Sequence, residues 1–301
     1  MSDPGALLLR AGEVEARVLP YGARLAALRF GGVPVLLSYP DDAANRGDEA
    51  WLGAALGRTS GRVKDAQLAV DGGVHRLDAN AGADHLHGGA AGFGHVDWTV
   101  AERSERSALL TLTSPDGDEG YPGRLDARCR LTLEAERLTI TYEAEADAPT
   151  PVSLTHHPYF RLGGDVSEHV LRVNADAYLP LDAGGLPTGE VRDVTGTPLD
   201  LRAGRPLSAV LAGLGAPLDH CLVCGERVSA RLEGPSAALR IEADQPCLQV
   251  YGAGKMGPPL HAGAGLALEP QAYPDAERCG FPSRVLRPGE AYRRTTVISL
   301  D

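Results

Sequence analysis

Leu125-Asp126-Ala127-Arg128-Cys129-Arg130-Leu131-Thr132-Leu133-Glu134, then Ala135-Glu136, then Arg137-Leu138-Thr139-Ile140-Thr141-Tyr142-Glu143-Ala144-Glu145-Ala146, is the stretch that decides the fold class. Leu125, Ala127, Cys129, Leu131 and Leu133 recur at a period of two, with Arg124, Asp126, Arg128, Arg130, Thr132 and Glu134 between them. Side chains alternate across a pleated strand, so this is a strand with one face buried and one wet. The pattern resumes with Leu138, Ile140, Tyr142, Ala144 and Ala146 against Thr139, Thr141, Glu143 and Glu145, which predicts a hairpin.

Working outward, short strands are expected at Glu15 to Leu19, Ala66 to Val70, Trp98 to Glu102, Ala108 to Thr113, Leu239 to Ala243 and Thr295 to Leu300. Turn signals such as Asp71-Gly72-Gly73 and Pro115-Asp116-Gly117 separate them, among 37 glycines and 22 prolines. Pro206 to Leu214 is the best candidate for a short helix. Many strands and many turns predict an all-β chain, a large antiparallel β-sandwich with few short helices. No repeat or linker marks a boundary, so residues 1–301 are read as a single domain.

With 40 acidic against 29 basic residues the net charge is -11, and no run of Lys and Arg appears. Such a surface opposes binding to nucleic acid or to anionic membrane. Apolar runs such as Ala6 to Leu9 fall far short of the roughly 18 residues of a membrane helix, so a cytoplasmic chain, monomer or homodimer, is expected. Five irregularly spaced cysteines do not read as a disulfide framework, and the lone Cys221-x-x-Cys224 pair reads as buried structural thiols rather than zinc ligands.

Five segments could carry chemistry. Thr155-His156-His157-Pro158-Tyr159-Phe160 sets adjacent imidazoles beside aromatics in a chain with 9 histidines and 5% aromatics. Histidine titrates near neutrality and, with a carboxylate, can run acid and base chemistry. Gly57-Arg58-Thr59-Ser60-Gly61-Arg62-Val63 lacks a P-loop lysine, and its arginines read alone as surface charges. In Asp84-His85-Leu86-His87-Gly88-Gly89 a strand would point both histidines to one side, as half of a metal site or as an ordinary loop. Asp219-His220 precedes an apolar strand, and in Leu266-Ala267-Leu268-Glu269-Pro270-Gln271 an apolar run delivers one carboxylate immediately before a proline. A charge there is costly unless it is paired or functional.

In this order, from Gly53 to Arg287-Pro288-Gly289-Glu290, the segments resemble the aldose 1-epimerase family, or galactose mutarotases. The resemblance implies that family's supersandwich and the interconversion of α and β anomers of free aldoses such as glucose or galactose. It implies Glu269 as general base and His157 as general acid, acting on opposite sides of the sugar. Arg62, His87, Asp219 and Gln249 would bind the substrate, with Trp51 or Phe160 as an apolar platform and neither metal nor cofactor. Two positions depart from the family pattern, Gly61 and His156, where asparagines are usual, which bears on substrate preference. Three alternatives stand beside it. One is a non-catalytic carbohydrate-binding protein of the same fold. A second is a metal enzyme using His85, His87, His157 and Glu269. The third acts on a phosphorylated sugar through Arg58, Arg161 and Lys255.

Overall fold

The computed structural model describes residues 5–254, 256–283 and 285–301. Strands Leu125–Glu134 and Arg137–Ala146 form the expected hairpin, in register from Leu125 opposite Ala146 to Glu134 opposite Arg137. Their alternate apolar residues are buried, and the other face carries cross-strand charge pairs such as Arg128 with Glu145.

The hairpin sits inside a nine-stranded sheet running Thr99–Arg103, Ser107–Ser114, Leu125–Glu134, Arg137–Ala146, Tyr292–Leu300, Ala238–Ala243, Val228–Glu233, Val170–Val173 and Arg205–Pro206. A six-stranded sheet runs Tyr159–Phe160, Leu266–Gln271, Cys247–Tyr251, Asp219–Val223, Ala177–Leu179 and Arg192–Asp193. Leu222, Leu248, Val250 and Leu268 of the smaller sheet share one core cluster with Ile140, Tyr142, Ile241 and Ile298 of the larger, which makes the architecture an antiparallel sandwich. Each fully buried Leu or Ile contributes about 1.5–3 kcal/mol to holding the layers together.

All six expected strands form, with boundaries shifted by one to three residues, and the helix spans Leu207–Leu214. A four-stranded N-terminal sheet begins with Leu7–Ala11, whose alternation is masked in sequence because the outward residue is itself a leucine, Leu8. Among the described residues no helix is long and apolar enough to cross a membrane.

Two strands position the site. Leu266–Gln271 is buried at every residue, yet its period of two persists. Leu266 and Leu268 enter the core between the sheets, and Glu269 and Gln271 line a cavity on the opposite side. The Thr155–His156 strand and the residues after it split in the same way, with His156 and Phe160 packed inward and His157 and Tyr159 on the cavity.

Candidate active site

A cavity of about 630 Å³ opens on that face of the smaller sheet. Arg62, His87, His157, Asp219, Gln249 and Glu269, six positions drawn from segments across 208 residues of chain, all line it. Cross-strand register explains part of the convergence, because Gln249 pairs with Glu269 and also with Cys221, two residues from Asp219. Gln249 Nε2 donates to Asp219 Oδ1 at 2.6 Å.

His157 and Glu269 are both buried, and His157 Nε2 lies 3.4 Å from Glu269 Oε1. They therefore stand side by side in the empty cavity rather than across it. Glu269 Oε2 and His157 Nδ1 have no hydrogen-bond partner. Burial, reinforced by the nearby Asp219 charge, pushes the Glu269 carboxyl well above the usual carboxylate range. Burial also pulls the His157 imidazole down to about 4. Each shift disfavours the charged form of its group.

His87 has a left-handed backbone with φ of 53°, which ends the short His85–Leu86 strand and breaks the alternation expected for the two histidines. His85 turns into the core, with Nδ1 2.7 Å from Asp78 O and Nε2 2.8 Å from Tyr121 Oη. His87 instead reaches the cavity, its ring centroid 5.4 Å from that of His157 and 4.9 Å from Trp51. The left-handed glycines after it are sterically required, because a Cβ on Gly88 would lie 1.6 Å from Gly57 O.

The Gly61 N–H donates to His87 Nδ1 at 3.2 Å, which leaves the ring proton on Nε2. This tautomer bears on metal binding. His87, His157 and Glu269 bring ligand atoms within 4.8 Å of one another, and a metal bound through His87 Nε2 would have to displace the contact with the Gly61 N–H. With His85 held in the core as well, the four-ligand metal arrangement is not assembled.

Other expectations are partly corrected and partly met. Phe160 is core, and Tyr159 takes the wall position beside His157 with ring centroids 4.8 Å apart, while Trp51 does line the cavity. Arg58 is not a surface charge: it is 1% exposed and donates to Ser114, Pro115, Pro122, Gly123 and Thr150, clamping loops behind the site. His156 lies in the core, its Nδ1 2.7 Å from Tyr142 Oη and its Nε2 3.0 Å from Ala23 O. Gln245, at the start of the segment that supplies Gln249, is buried beside Leu154 and Tyr292 and not on the cavity. Cys221 and Cys247 are buried free thiols, and burial pushes the half-buried Cys224 up to about 12.

Among the described residues the phosphate-binding cations are not gathered either. Arg161 lines a different groove, Lys255 lies outside the described residues, and Arg62 is the one lysine or arginine among the described cavity residues, faced by Glu49, Asp219 and Glu269. Tyr39, Tyr159 and Tyr251, which line the wall, receive no site role from the sequence. Their signal is spatial, since Tyr159 and Tyr251 lie on strands separated only by Leu266–Gln271.

The structure is a large antiparallel sandwich with a buried imidazole–carboxyl pair in a cavity rimmed by polar groups. The family described as Aldose 1-epimerase matches residues 6–299. The galactose mutarotase of Bos taurus is 33% identical over 313 residues, covering 96% of this chain and 91% of its own length. The aldose 1-epimerase of Escherichia coli K12 is 32% identical over 310 residues, covering 93% and 90%. Among solved structures, the aldose epimerase homologue from C. elegans superposes with a TM-score of 0.93 at 29% identity, over 99% of this chain and 98% of that one. The galactose 1-epimerase from Lactobacillus acidophilus NCFM gives 0.89 at 29%, over 98% and 94%. The chain belongs to the aldose 1-epimerase family and is an isomerase acting on carbohydrates.

Proposed function

We propose that Glu269 and His157 interconvert the α and β anomers of a free aldose, with galactose and glucose as the substrates to test first. The observation that carries the assignment is their 3.4 Å contact inside the cavity. In a cyclic hemiacetal the anomeric O1 and the ring oxygen are both bonded to C1, so an acid and a base that lie close together can serve both. As the sugar fills the cavity, its hydroxyls donate to Glu269 and stabilise it as the carboxylate beside a protonated His157. Glu269 then takes the O1 proton while His157 protonates the ring oxygen, the C1–ring-oxygen bond breaks, and the O1 electron pair completes the aldehyde.

After opening, Glu269 is protonated and His157 neutral, which is the state that burial favours. Burial thus disfavours the charged pair that starts the cycle and favours the pair that flanks the open chain. Rotation about C1–C2 and closure with roles reversed return the proton, so the cycle needs no external acid or base. His87 Nε2–H donates to the ring oxygen, and Arg62, Asp219 and Gln249 hold the hydroxyls, with Trp51 against the sugar face.

Polarimetry tests this directly, by following freshly dissolved α-D-galactose and α-D-glucose with wild type, Glu269→Gln and EDTA-treated protein. Acceleration by the first, loss of about 10²–10⁴-fold in the second and no change in the third are expected. Substantial activity in Glu269→Gln sinks the base assignment, and loss on chelation sinks the metal-free mechanism.

A further inference from the structure

Gln271 belongs to none of the roles above, yet it is the residue of the cavity wall whose chemistry is least explained. It is 1% exposed, lines the cavity, and its Oε1 is buried without a partner. Leaving such an atom unpaired costs about 1–3 kcal/mol, so a buried amide on a cavity wall calls for a hydrogen-bonding ligand. The residue follows Glu269 by two positions on a fully buried strand, so both side chains leave the same face about 7 Å apart.

Across from Gln271 the chain makes room. Gly61 has φ of 77°, and a Cβ built there would lie 3.0 Å from Pro274 Cβ and 4.0 Å from Gln271 Nε2. No side chain from position 61 therefore competes for the amide, and the Gly61 N–H is already committed to His87.

We infer that Gln271 is a specificity-determining residue that hydrogen-bonds a ring hydroxyl remote from the anomeric carbon, an inference that rests on the proposed function. A hydroxyl both donates and accepts, so it satisfies the amide in either orientation. Glu269 marks the anomeric end of the sugar, and Gln271 reads the far end of the same ring from the same strand.

The test measures kcat/KM for anomerisation of galactose and its 2-, 3-, 4- and 6-deoxy analogues with wild type and Gln271→Met, a variant of similar volume without the amide. In wild type, one deoxy analogue apart from the anomeric centre is expected to lose about 10- to 100-fold. In Gln271→Met, galactose falls to the level of that analogue, the penalty for that one missing hydroxyl vanishes, and the other penalties persist. The loss should appear in KM more than in kcat. Gln271→Asn, which withdraws the amide by one methylene, should give the same selective loss and serves if Gln271→Met does not fold. Equal losses for every sugar, or no change in any, overturn the inference. If wild type does not accelerate anomerisation, the proposed function fails. The same panel read as Kd by calorimetry then decides Gln271 separately, with uniform or absent binding counting against it.

Discussion

His156→Gln examines whether the second imidazole of the pair belongs to the core or to the sugar site. In the structure His156 accepts or donates only within the protein, to Tyr142 Oη and Ala23 O, and burial shifts its pKa from 6.5 to about 4. Arg24 adds a small push in the same direction. The folded protein therefore binds fewer protons at this site than the unfolded chain between those two values. Stability from this group is complete above pH 6.5 and is lost as pH falls through the interval. With these two pKa values the loss between pH 7 and pH 5 is about 2 kcal/mol. Glutamine keeps hydrogen-bonding capacity but does not titrate. Urea unfolding of both proteins at several pH values should show wild type losing about 2 kcal/mol more than His156→Gln over that range. The constant offset from replacing the imidazole cancels in this difference. The galactose-to-glucose ratio of kcat/KM should stay within twofold of wild type, roughly a 0.4 kcal/mol limit. Parallel pH dependences, or a changed sugar preference, refute the core assignment.

Three further outcomes follow from the same geometry. The pH profile of kcat/KM should be bell-shaped, because the free enzyme needs one proton on the pair. Activity falls below about pH 4, where His157 takes a second proton, and falls again above the raised pKa of Glu269, as stopped-flow or polarimetric rates would reveal. Since the folded state holds the Glu269 proton more tightly than the unfolded chain, wild type should lose stability relative to Glu269→Gln as pH rises above 4.5; a gap that stays constant with pH contradicts the raised pKa. Gly88→Ala, with its Cβ 1.6 Å from Gly57 O and φ of 90°, should cost at least about 1–2 kcal/mol from backbone strain. By moving His87 on the order of 1 Å it should also lower kcat/KM about 100-fold, and thermal melting with polarimetry would expose a wild-type-like variant.

Periodicity was legible wherever one strand face is wet, as in Leu125–Glu134 and Arg137–Ala146. It was not legible where the outward residue is apolar, as at Leu8, or where both faces are covered, as in Leu266–Gln271. The same division runs through the site. Residue types and local motifs singled out the paired imidazoles and Glu269, the family resemblance nominated Arg62, His87, His157, Asp219, Gln249 and Glu269, and all six line one cavity. Direction was another matter: His85 and His87 part company at a left-handed residue, His156 and Phe160 face the core while His157 and Tyr159 face the cavity, and Arg58 is consumed by loop carbonyls.

The chain by itself determined which elements alternate and which side chains can exchange protons, because pattern and functional-group chemistry are local properties. Only the tertiary structure decided that Glu269 and His157 touch, that burial drives their pKa values apart, and that Gln271 stands unpaired opposite Gly61. Those properties depend on distance and desolvation between strands remote in sequence, and neither exists until the sheets have packed.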